Sequence, residues 1–221
     1  MKKRYYITSA VFFFLFILLI VLLETVNVTD GGAENSLIGL SFINIPFHNF
    51  TGVNWTLYTI SGITGNIALL VVPFFGLIGL YQLIKRKSLL KVDRGMLSLG
   101  GLYLITGIIY VLFTKITINY RPIIIPDEGG LEASYPSSHT MLSFVIWGSA
   151  IMIINRYFQK NNANTVIKGI CIIIFAITLI GRLFSGVHWF TDILGGIFIS
   201  ISLLSLFKAT IGTKNPAKPA D

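Results

Sequence analysis

The sequence predicts an all-α membrane protein, a polytopic bundle of six transmembrane helices. The chain has 221 residues, of which 54% are hydrophobic and 12% charged, and its mean hydropathy is +0.78. A soluble domain carries roughly 25% charged residues, so about half that density implies that most of the surface faces lipid. Because Cys171 is the single cysteine, a secreted disulfide scaffold is excluded, and we interpret Cys171 as a small buried apolar residue.

Six apolar stretches are long enough to cross the ~30 Å hydrocarbon core, which takes about 20 helical residues. They are predicted near residues 5–23, 57–84, 96–118, 139–157, 166–184 and 189–207. The first follows three basic residues, as in a signal peptide, but it is longer than a typical signal sequence and no small-residue cleavage site follows. We therefore expect an uncleaved anchor, and a single domain over residues 1–221 with tails at 1–4 and 208–221.

The basic residues predict the orientation of the chain. With the N-terminus in the cytoplasm, 14 of the 17 Lys and Arg residues lie on the inner side, as the positive-inside rule requires. They are Lys2, Lys3, Arg4, Lys85, Arg86, Lys87, Lys91, Arg94, Arg156, Lys160, Lys168, Lys208, Lys214 and Lys218. The net charge of +8 therefore reflects topology, and no nucleic-acid partner is needed to explain it.

Three regions are then expected on the outer side. Residues 24–57 lie along the interface or cap the bundle, and their mixed periodicity does not decide between helix and strand; His48 in this region is expected to be structural or interfacial. Residues 119–136 are rich in Pro and Gly and are predicted to form a loop. Residues 185–187 are a short turn, which predicts that the last two spans are antiparallel neighbours.

Polar and ionisable residues concentrate at these outer ends. Ser137 and Ser138 follow Pro136 at the start of the fourth span, where free backbone N–H groups form an anion site. His188 and Asp192 are four residues apart and so share a helical face, which lets the carboxylate orient the imidazole. Taken alone, such a pair is more often structural than catalytic.

The predicted topology brings eight of these residues to one depth near the outer leaflet: Lys115, Arg121, Ser137, Ser138, His139, Arg182, His188 and Asp192. Three cations and a helix N-terminus suit a multiply charged oxyanion, and two histidines supply a nucleophile and a proton donor. This combination fits phosphoryl transfer. A zinc site of His139, His188 and Asp192 is the alternative, which the neighbouring cations disfavour, so we expect no metal and no cofactor.

These residues resemble the motifs of the type-2 phosphatidic acid phosphatase superfamily of integral membrane lipid phosphatases, which are K-x6-R-P, P-S-G-H and S-R-x5-H-x3-D. Here Lys115 is separated from Arg121 by five residues, Ser138 replaces the motif glycine, and Gly181 replaces the serine before Arg182. The order of the motifs and the six-span layout match the superfamily along most of the chain.

The resemblance implies that His188 attacks phosphorus, that Asp192 orients it, and that His139 protonates the leaving oxygen and then activates water. It also implies that Lys115, Arg121, Arg182 and the Ser137–Ser138 segment hold the phosphoryl oxygens. The expected partners are the bilayer and a lipid phosphate, such as a polyprenyl diphosphate, phosphatidylglycerophosphate or phosphatidate. A non-hydrolytic lipid-phosphate carrier is the alternative function, and the sequence leaves the oligomeric state open.

Overall fold

A computed structural model describes residues 2–126, 129–158 and 162–211 and confirms the predicted all-α membrane fold. Six helical stretches within these residues are long and apolar enough to cross a membrane. The α-helices are α1 Lys2–Thr25, α2 Ser41–Thr51, α3 Trp55–Leu69, α4 Val71–Arg86, α5 Arg94–Phe113, α6 Ser138–Tyr157, α7 Asn162–Phe184 and α8 Phe190–Ile211. Two short strands, β1 Thr29–Asp30 and β2 Leu37–Ile38, pair antiparallel before α2.

The second predicted span, residues 57–84, is broken into two helices. Helix α3 ends at Leu69 and α4 begins at Val71. Pro73 explains the break, since proline has no N–H to donate to the carbonyl four residues earlier, which is that of Leu69. The break lets α3 pack against α6 and α7 while α4 packs against α5.

Two other predicted boundaries differ from the structure: the end of the third span and the start of the C-terminal tail. Helix α5 ends at Phe113, so the segment 114–118 that was assigned to the third span lies beyond the helix. Lys208 lies in the last turn of α8, so this helix continues into the predicted tail. The rest of that tail, residues 212–221, and the predicted inner residue Lys160 lie outside the described residues.

Helices α6 and α8 form the centre of the bundle and carry most of its buried side chains. Helix α8 packs mainly against α1, α6 and α5, whereas α7 packs against α3 and α6. The last two spans, predicted to be antiparallel neighbours, do contact each other, but each packs more extensively against α6. The apolar side chains on the outside of the bundle, such as Phe14, Ile84 and Ile173, are exposed, as a lipid-facing surface requires.

Residues 24–57 contain helix and strand and form a cap on one end of the bundle. Asn44 of α2 is buried and bonds to Thr191 of α8 twice, through its side-chain amide to the hydroxyl at 2.9 Å and through its oxygen to the backbone N–H at 3.2 Å. The N–H of Asn54 donates to the carbonyl of Ser185 at 3.0 Å. His48 stacks edge-on against Trp189. The cap thus holds the turn between α7 and α8.

Candidate active site

The loop between α5 and α6 is folded back on itself, and this positions Arg121. The N–H of Arg121 donates to the carbonyl of Glu132 at 3.0 Å, and the N–H of Ser134 donates to the carbonyl of Asn119 at 2.9 Å. The indole N–H of Trp189 donates to the carbonyl of Tyr120 at 2.7 Å, which ties this loop to the α7–α8 turn. Arg121 is therefore anchored beside the turn that carries His188.

His188 and Asp192 are both buried and lie against each other at the start of α8. The distance from His188 Nδ1 to Asp192 Oδ2 is 3.4 Å, and the same carboxylate oxygen accepts the N–H of Trp189 at 2.9 Å. The spacing of four residues places both groups on one side of the first helical turn, as predicted. The Asp192 carboxylate thus holds the Nδ1 side of the His188 ring in place.

The other ring nitrogen of His188 faces the guanidinium of Arg121, with 3.1 Å between Nη1 and Nε2. A guanidinium can only donate hydrogen bonds, so Nε2 must be the acceptor and the ring proton must sit on Nδ1, toward Asp192. Arg121 also donates from Nε to Glu132 Oε2 at 2.8 Å. The imidazole is therefore neutral, and the lone pair of Nε2 points toward Arg121.

The electrostatic environment keeps this imidazole neutral. Burial lowers the pKa of His188 well below its ordinary value of 6.5, and the positive charges of Arg121 and Arg182 lower this pKa further. A neutral imidazole is the form that can act as a nucleophile or base. Both guanidiniums are thus close enough to act on the ring of His188.

His139 and Arg182 lie against helix α3. The Arg182 guanidinium is buried and sits 4.7 Å from the centre of the Tyr58 ring, a cation–π contact. His139 is packed so closely on α3 that a Cβ built on Gly65 would lie 2.7 Å from His139 Cδ2. The Nδ1 atom of His139 is buried and has no hydrogen-bond partner among the described residues. Helix α3 therefore forms one wall of the site.

The start of α6 faces the same region. Ser137 is fully buried, its N–H donates to the carbonyl of Asp192 at 3.0 Å, and its hydroxyl accepts from Thr140 at 3.1 Å. Ser138 instead lines a cavity of about 470 Å³ that also contains Arg121 and His188. Side chains of α5, the folded loop and α6 complete the lining of this cavity, among them Tyr110, Phe113, Thr114, Glu132, Tyr135 and Met141.

Of the predicted site residues, Arg121, Ser138 and His188 line this cavity. Four others, Ser137, His139, Arg182 and Asp192, do not line it. Lys115 does not line it either, and lies on a different surface. It follows the end of α5, its side chain is exposed, and it borders a separate apolar groove with Leu104, Ile108 and Val111. Its neighbours Thr114 and Thr117 do line the cavity. The five-residue spacing to Arg121, and the end of the helix at Phe113, place the lysine on the adjacent surface.

A family model matches the part of the chain that carries these residues. The model of the PAP2 superfamily matches residues 95–216, more than half of the chain. The chain belongs to the PAP2 superfamily. The fold is similar to that of a transmembrane PAP2-type phosphatidylglycerolphosphate phosphatase from Bacillus subtilis, with a TM-score of 0.57 and 19% identity, covering 90% of this chain and 94% of that chain. No curated protein matches the sequence.

Membership of the PAP2 superfamily confirms the predicted family and supports a phosphatase embedded in the membrane by several spans. The structure also accounts for one departure from the superfamily motif. A Cβ on Gly181 would lie 2.7 Å from Ser61 Cβ and 3.2 Å from the carbonyl oxygen of Leu57. Helix α3 thus leaves no room at this position for the serine of the motif.

Sequence reasoning missed the groups that surround the PAP2 motif residues. Tyr58, Gly62 and Gly65 of α3 contact Arg182 or His139, but an aromatic residue and two glycines in an apolar span carry no signal of their own. Sequence reasoning also missed the pairing of Glu132 with Arg121, because the two residues are eleven apart in a loop and belong to no common motif. Among the described residues, no group of three or more His, Cys, Asp and Glu side chains is arranged to hold a metal ion.

Proposed function

We propose that this protein hydrolyses a phosphate monoester or diphosphate carried by a membrane lipid, through a phosphohistidine formed on His188 Nε2. The observation that carries the proposal is the geometry around this ring, where Asp192 lies on Nδ1 and Arg121 lies on Nε2. A neutral imidazole held in one tautomer, with its lone pair beside a guanidinium, is suited to attack a phosphorus atom that the guanidinium helps to bind.

In the first step, Nε2 of His188 attacks phosphorus while the bond from phosphorus to the lipid oxygen breaks. His139 supplies the proton that this leaving oxygen takes up. In the second step, His139 removes a proton from water, the water oxygen attacks phosphorus, and the phosphorus–nitrogen bond breaks to release inorganic phosphate. Asp192 stabilises the imidazolium that exists while His188 carries the phosphoryl group.

The phosphoryl oxygens are bound by Arg121, by Arg182 and by the start of α6. The first-turn N–H groups of α6 have no partner within the helix and so favour an anion, and Ser138 adds a hydroxyl that lines the cavity. Ser137 supports this segment from behind through its bond to Asp192. Two guanidiniums and a helix N-terminus neutralise the transferring group, so the reaction as proposed needs no metal ion. Lys115 has no part in this set.

The cavity indicates how a lipid reaches these groups. Its polar side is formed by Arg121, Glu132 and Ser138, and its other side by Phe113 and Met141. A phosphate headgroup fits the polar side while its lipid chain leaves along α5. A polyprenyl diphosphate, phosphatidylglycerophosphate and phosphatidate all meet this requirement. The PAP2-type phosphatidylglycerolphosphate phosphatase from Bacillus subtilis has a similar fold.

The distribution of basic residues supports an orientation in which both termini are cytoplasmic and the active site faces outward. The inner side then holds 14 of the 17 Lys and Arg residues. The site lies where α5 ends and where α6 begins, which is the opposite end of the bundle from the basic α4–α5 connection. The variants Leu90→Cys and Gly129→Cys test this orientation. A thiol reagent that does not cross the membrane, added to intact cells, should label Gly129→Cys and should not label Leu90→Cys.

Phosphate release by purified protein tests the activity. In detergent with excess EDTA, we expect the wild type to release inorganic phosphate from at least one of the three lipid phosphates. His188→Ala should abolish this release without unfolding the protein, whereas His48→Gln, which removes an imidazole outside the cavity, should retain most of it. Wild-type protein that binds a lipid phosphate without releasing phosphate would instead indicate a carrier.

Trapping of the intermediate tests the chemistry. Lipid labelled with ³²P at the scissile phosphorus should label the wild type in a form that is stable in alkali and labile in acid, as a phosphohistidine is. The label should be absent in His188→Ala. Labelling that persists in this variant, or phosphate release at the wild-type rate, would refute His188 as the nucleophile.

A further inference from the structure

A second cavity lies at the other end of the bundle, between α4 and α5. It has a volume of about 600 Å³, within the usual range for ligand pockets. Its lining is apolar and comes from most of α4, the α4–α5 connection and the first half of α5, including Phe75, Leu83, Leu89, Val92, Met96 and Tyr103. We call this cavity the inner cleft.

The inner cleft exists because four glycines leave it unfilled. Gly76 and Gly79 of α4 and Gly100 and Gly101 of α5 all line it, and a Cβ built on any of them would meet no atom within 4 Å. Glycines at tight helix contacts behave differently, as Gly65 does beside His139. These four residues therefore do not serve close packing, and their missing side chains leave room for something outside the chain.

Basic side chains surround the inner mouth of this cleft. Residues 85–94 contain five Lys and Arg residues, all of them exposed, and one acidic residue, Asp93. Asp93 is already engaged, since it accepts from Arg86 at 2.9 Å and from Gln82 at 3.1 Å. Lys85, Lys87 and Lys91 thus leave positive charge in the same connection that supplies Leu89 and Val92 to the lining of the cleft.

The same connection also places apolar side chains at the membrane surface. Leu89 and Leu90 are 60% and 93% exposed, although they stand between lysines. Leucines with this exposure beside basic residues are typical of a segment that lies in the headgroup region, with its apolar side chains in the acyl layer. The mouth of the cleft is therefore at headgroup depth.

We propose that the inner cleft binds one anionic phospholipid, with an acyl chain between α4 and α5 and the headgroup phosphate on Lys85, Lys87 and Lys91. The charge of the mouth selects an anionic headgroup, as basic pockets between transmembrane helices do. The cleft extends along α4 from Val72 to Leu83 and along α5 from Met96 to Tyr103. At 1.5 Å per residue, these two stretches span about 18 Å and about 12 Å, which is about the thickness of one leaflet.

This site is separate from the proposed active site, because the two lie at opposite ends of α5. The 20 residues of this helix extend about 30 Å. That the lipid belongs to the cytoplasmic leaflet rests on the proposed orientation, but the lipid site itself does not. An anionic phosphodiester lipid such as phosphatidylglycerol has no terminal phosphate to be hydrolysed, so it can be used as a probe without turnover.

Native mass spectrometry of the purified full-length chain, titrated with phosphatidylglycerol or phosphatidylcholine, tests the proposal. We expect phosphatidylglycerol to bind about tenfold or more tightly than phosphatidylcholine, and the triple variant K85Q/K87Q/K91Q to lose this preference. The matched triple variant K2Q/K3Q/K208Q neutralises basic residues elsewhere and should keep it. High salt should weaken the preference of the wild type by screening, which provides a test that needs no variant.

The apolar half of the site is tested by filling it. The double variant Gly79→Leu/Gly100→Leu places side chains in the open space and should weaken the binding of both lipids at least tenfold, while Gly169→Leu on α7, also in open space, should not. An anionic preference that survives both the lysine variant and the cleft-filling variant would overturn the proposal. Cleft filling that converts a dimer to a monomer without loss of lipid would also overturn it, and would assign the cleft to a second copy of the chain.

Phosphate release measured on the same samples separates this proposal from the proposed function. Because the inner cleft is remote from His188, the lysine and cleft-filling variants should release phosphate at the wild-type rate in detergent. A wild-type protein that releases no phosphate refutes the proposed function alone. Equal binding of the two lipids by an active wild type refutes the lipid site alone.

Discussion

The position of His139 depends on a glycine in a helix that carries no motif residue. A Cβ on Gly65 of α3 would lie 2.7 Å from Cδ2 of His139 and 3.5 Å from Cγ2 of Thr178. Carbon atoms in contact are normally about 3.5–4.0 Å apart. Gly65→Ala therefore requires a movement of about 1 Å, and the ring of His139 is the group that must move, because the new methyl is fixed to the backbone of α3.

The expected loss of activity follows from this displacement. General acid–base catalysis contributes about 10²- to 10⁴-fold to a rate, and a misplacement of 1 Å can reduce a rate about 10²-fold. We therefore expect Gly65→Ala to lower kcat about 10- to 100-fold. The fold should persist, since alanine is more favourable than glycine in a helix by up to about 1 kcal/mol, which offsets part of the crowding.

Two substrates separate a displaced acid from a general disturbance of the site. An alkyl lipid phosphate has a leaving oxygen that must be protonated, whereas an activated aryl phosphate leaves without help. The loss in Gly65→Ala should be several-fold larger with the lipid phosphate than with the aryl phosphate. The matched control is Gly169→Ala on α7, where a Cβ meets nothing within 4 Å and activity should be unchanged.

Wild-type rates in Gly65→Ala with both substrates would refute this reasoning. Such a result would mean that the ring of His139 moves aside without consequence, and so that it is not the group that protonates the leaving oxygen. Equal losses with both substrates would assign His139 to phosphate binding or to packing.

Three further predictions follow from the same contacts. Gly181→Ser should destabilise the protein by about 1–3 kcal/mol because α7 must move away from Ser61, and Ser61→Gly should restore the thermal midpoint. Glu132→Ala should lower kcat/KM a few-fold, and Glu132→Gln less, because the partly exposed ion pair with Arg121 is worth about 0.2–1 kcal/mol; steady-state kinetics measure both. The pKa of His188 is lowered by burial and by both arginines, so below pH 6.5 only the unfolded state gains this proton and the free energy of unfolding falls by up to about 1.4 kcal/mol per pH unit. Unfolding measured above and below pH 6.5 should show a shallower slope in His188→Gln than in the wild type; a slope remains in the variant because burial also lowers the pKa of His48.

The sequence was sufficient for the parts of the fold that depend on composition and spacing. Apolar length predicts all six spans because the hydrocarbon core imposes it, and the i, i+4 spacing predicts the contact of His188 with Asp192. The break at Leu70 could have been found as well, since Pro73 stands inside the second apolar stretch. A span predicted from apolar length alone does not reveal such a break, because membrane helices tolerate proline.

The contacts between distant helices could not be predicted from the sequence. The neighbours of α8 are set by side-chain packing over the whole bundle, so the short turn to α7 does not reveal that α1 is the main partner of α8. The position of the Lys115 side chain could not be predicted from the sequence either. Its place in the motif predicts a phosphate ligand, but the end of α5 at Phe113 turns its side chain to the outer surface, and no local pattern marks that end.

In the proposed mechanism, the contact of Arg121 with His188 holds the attacking nitrogen in place before the substrate binds. In this structure, Nη1 of Arg121 engages the lone pair of Nε2 while Glu132 holds the Nε side of the same guanidinium. A phosphate dianion is a stronger acceptor for a guanidinium than a neutral imidazole is, because charge-assisted hydrogen bonds are about twice as strong as neutral ones. Binding of the substrate phosphate would therefore draw Nη1 away from Nε2 and release the lone pair toward the phosphorus atom. Glu132 limits how far the guanidinium moves, which explains why a carboxylate lies beside a site for an anion.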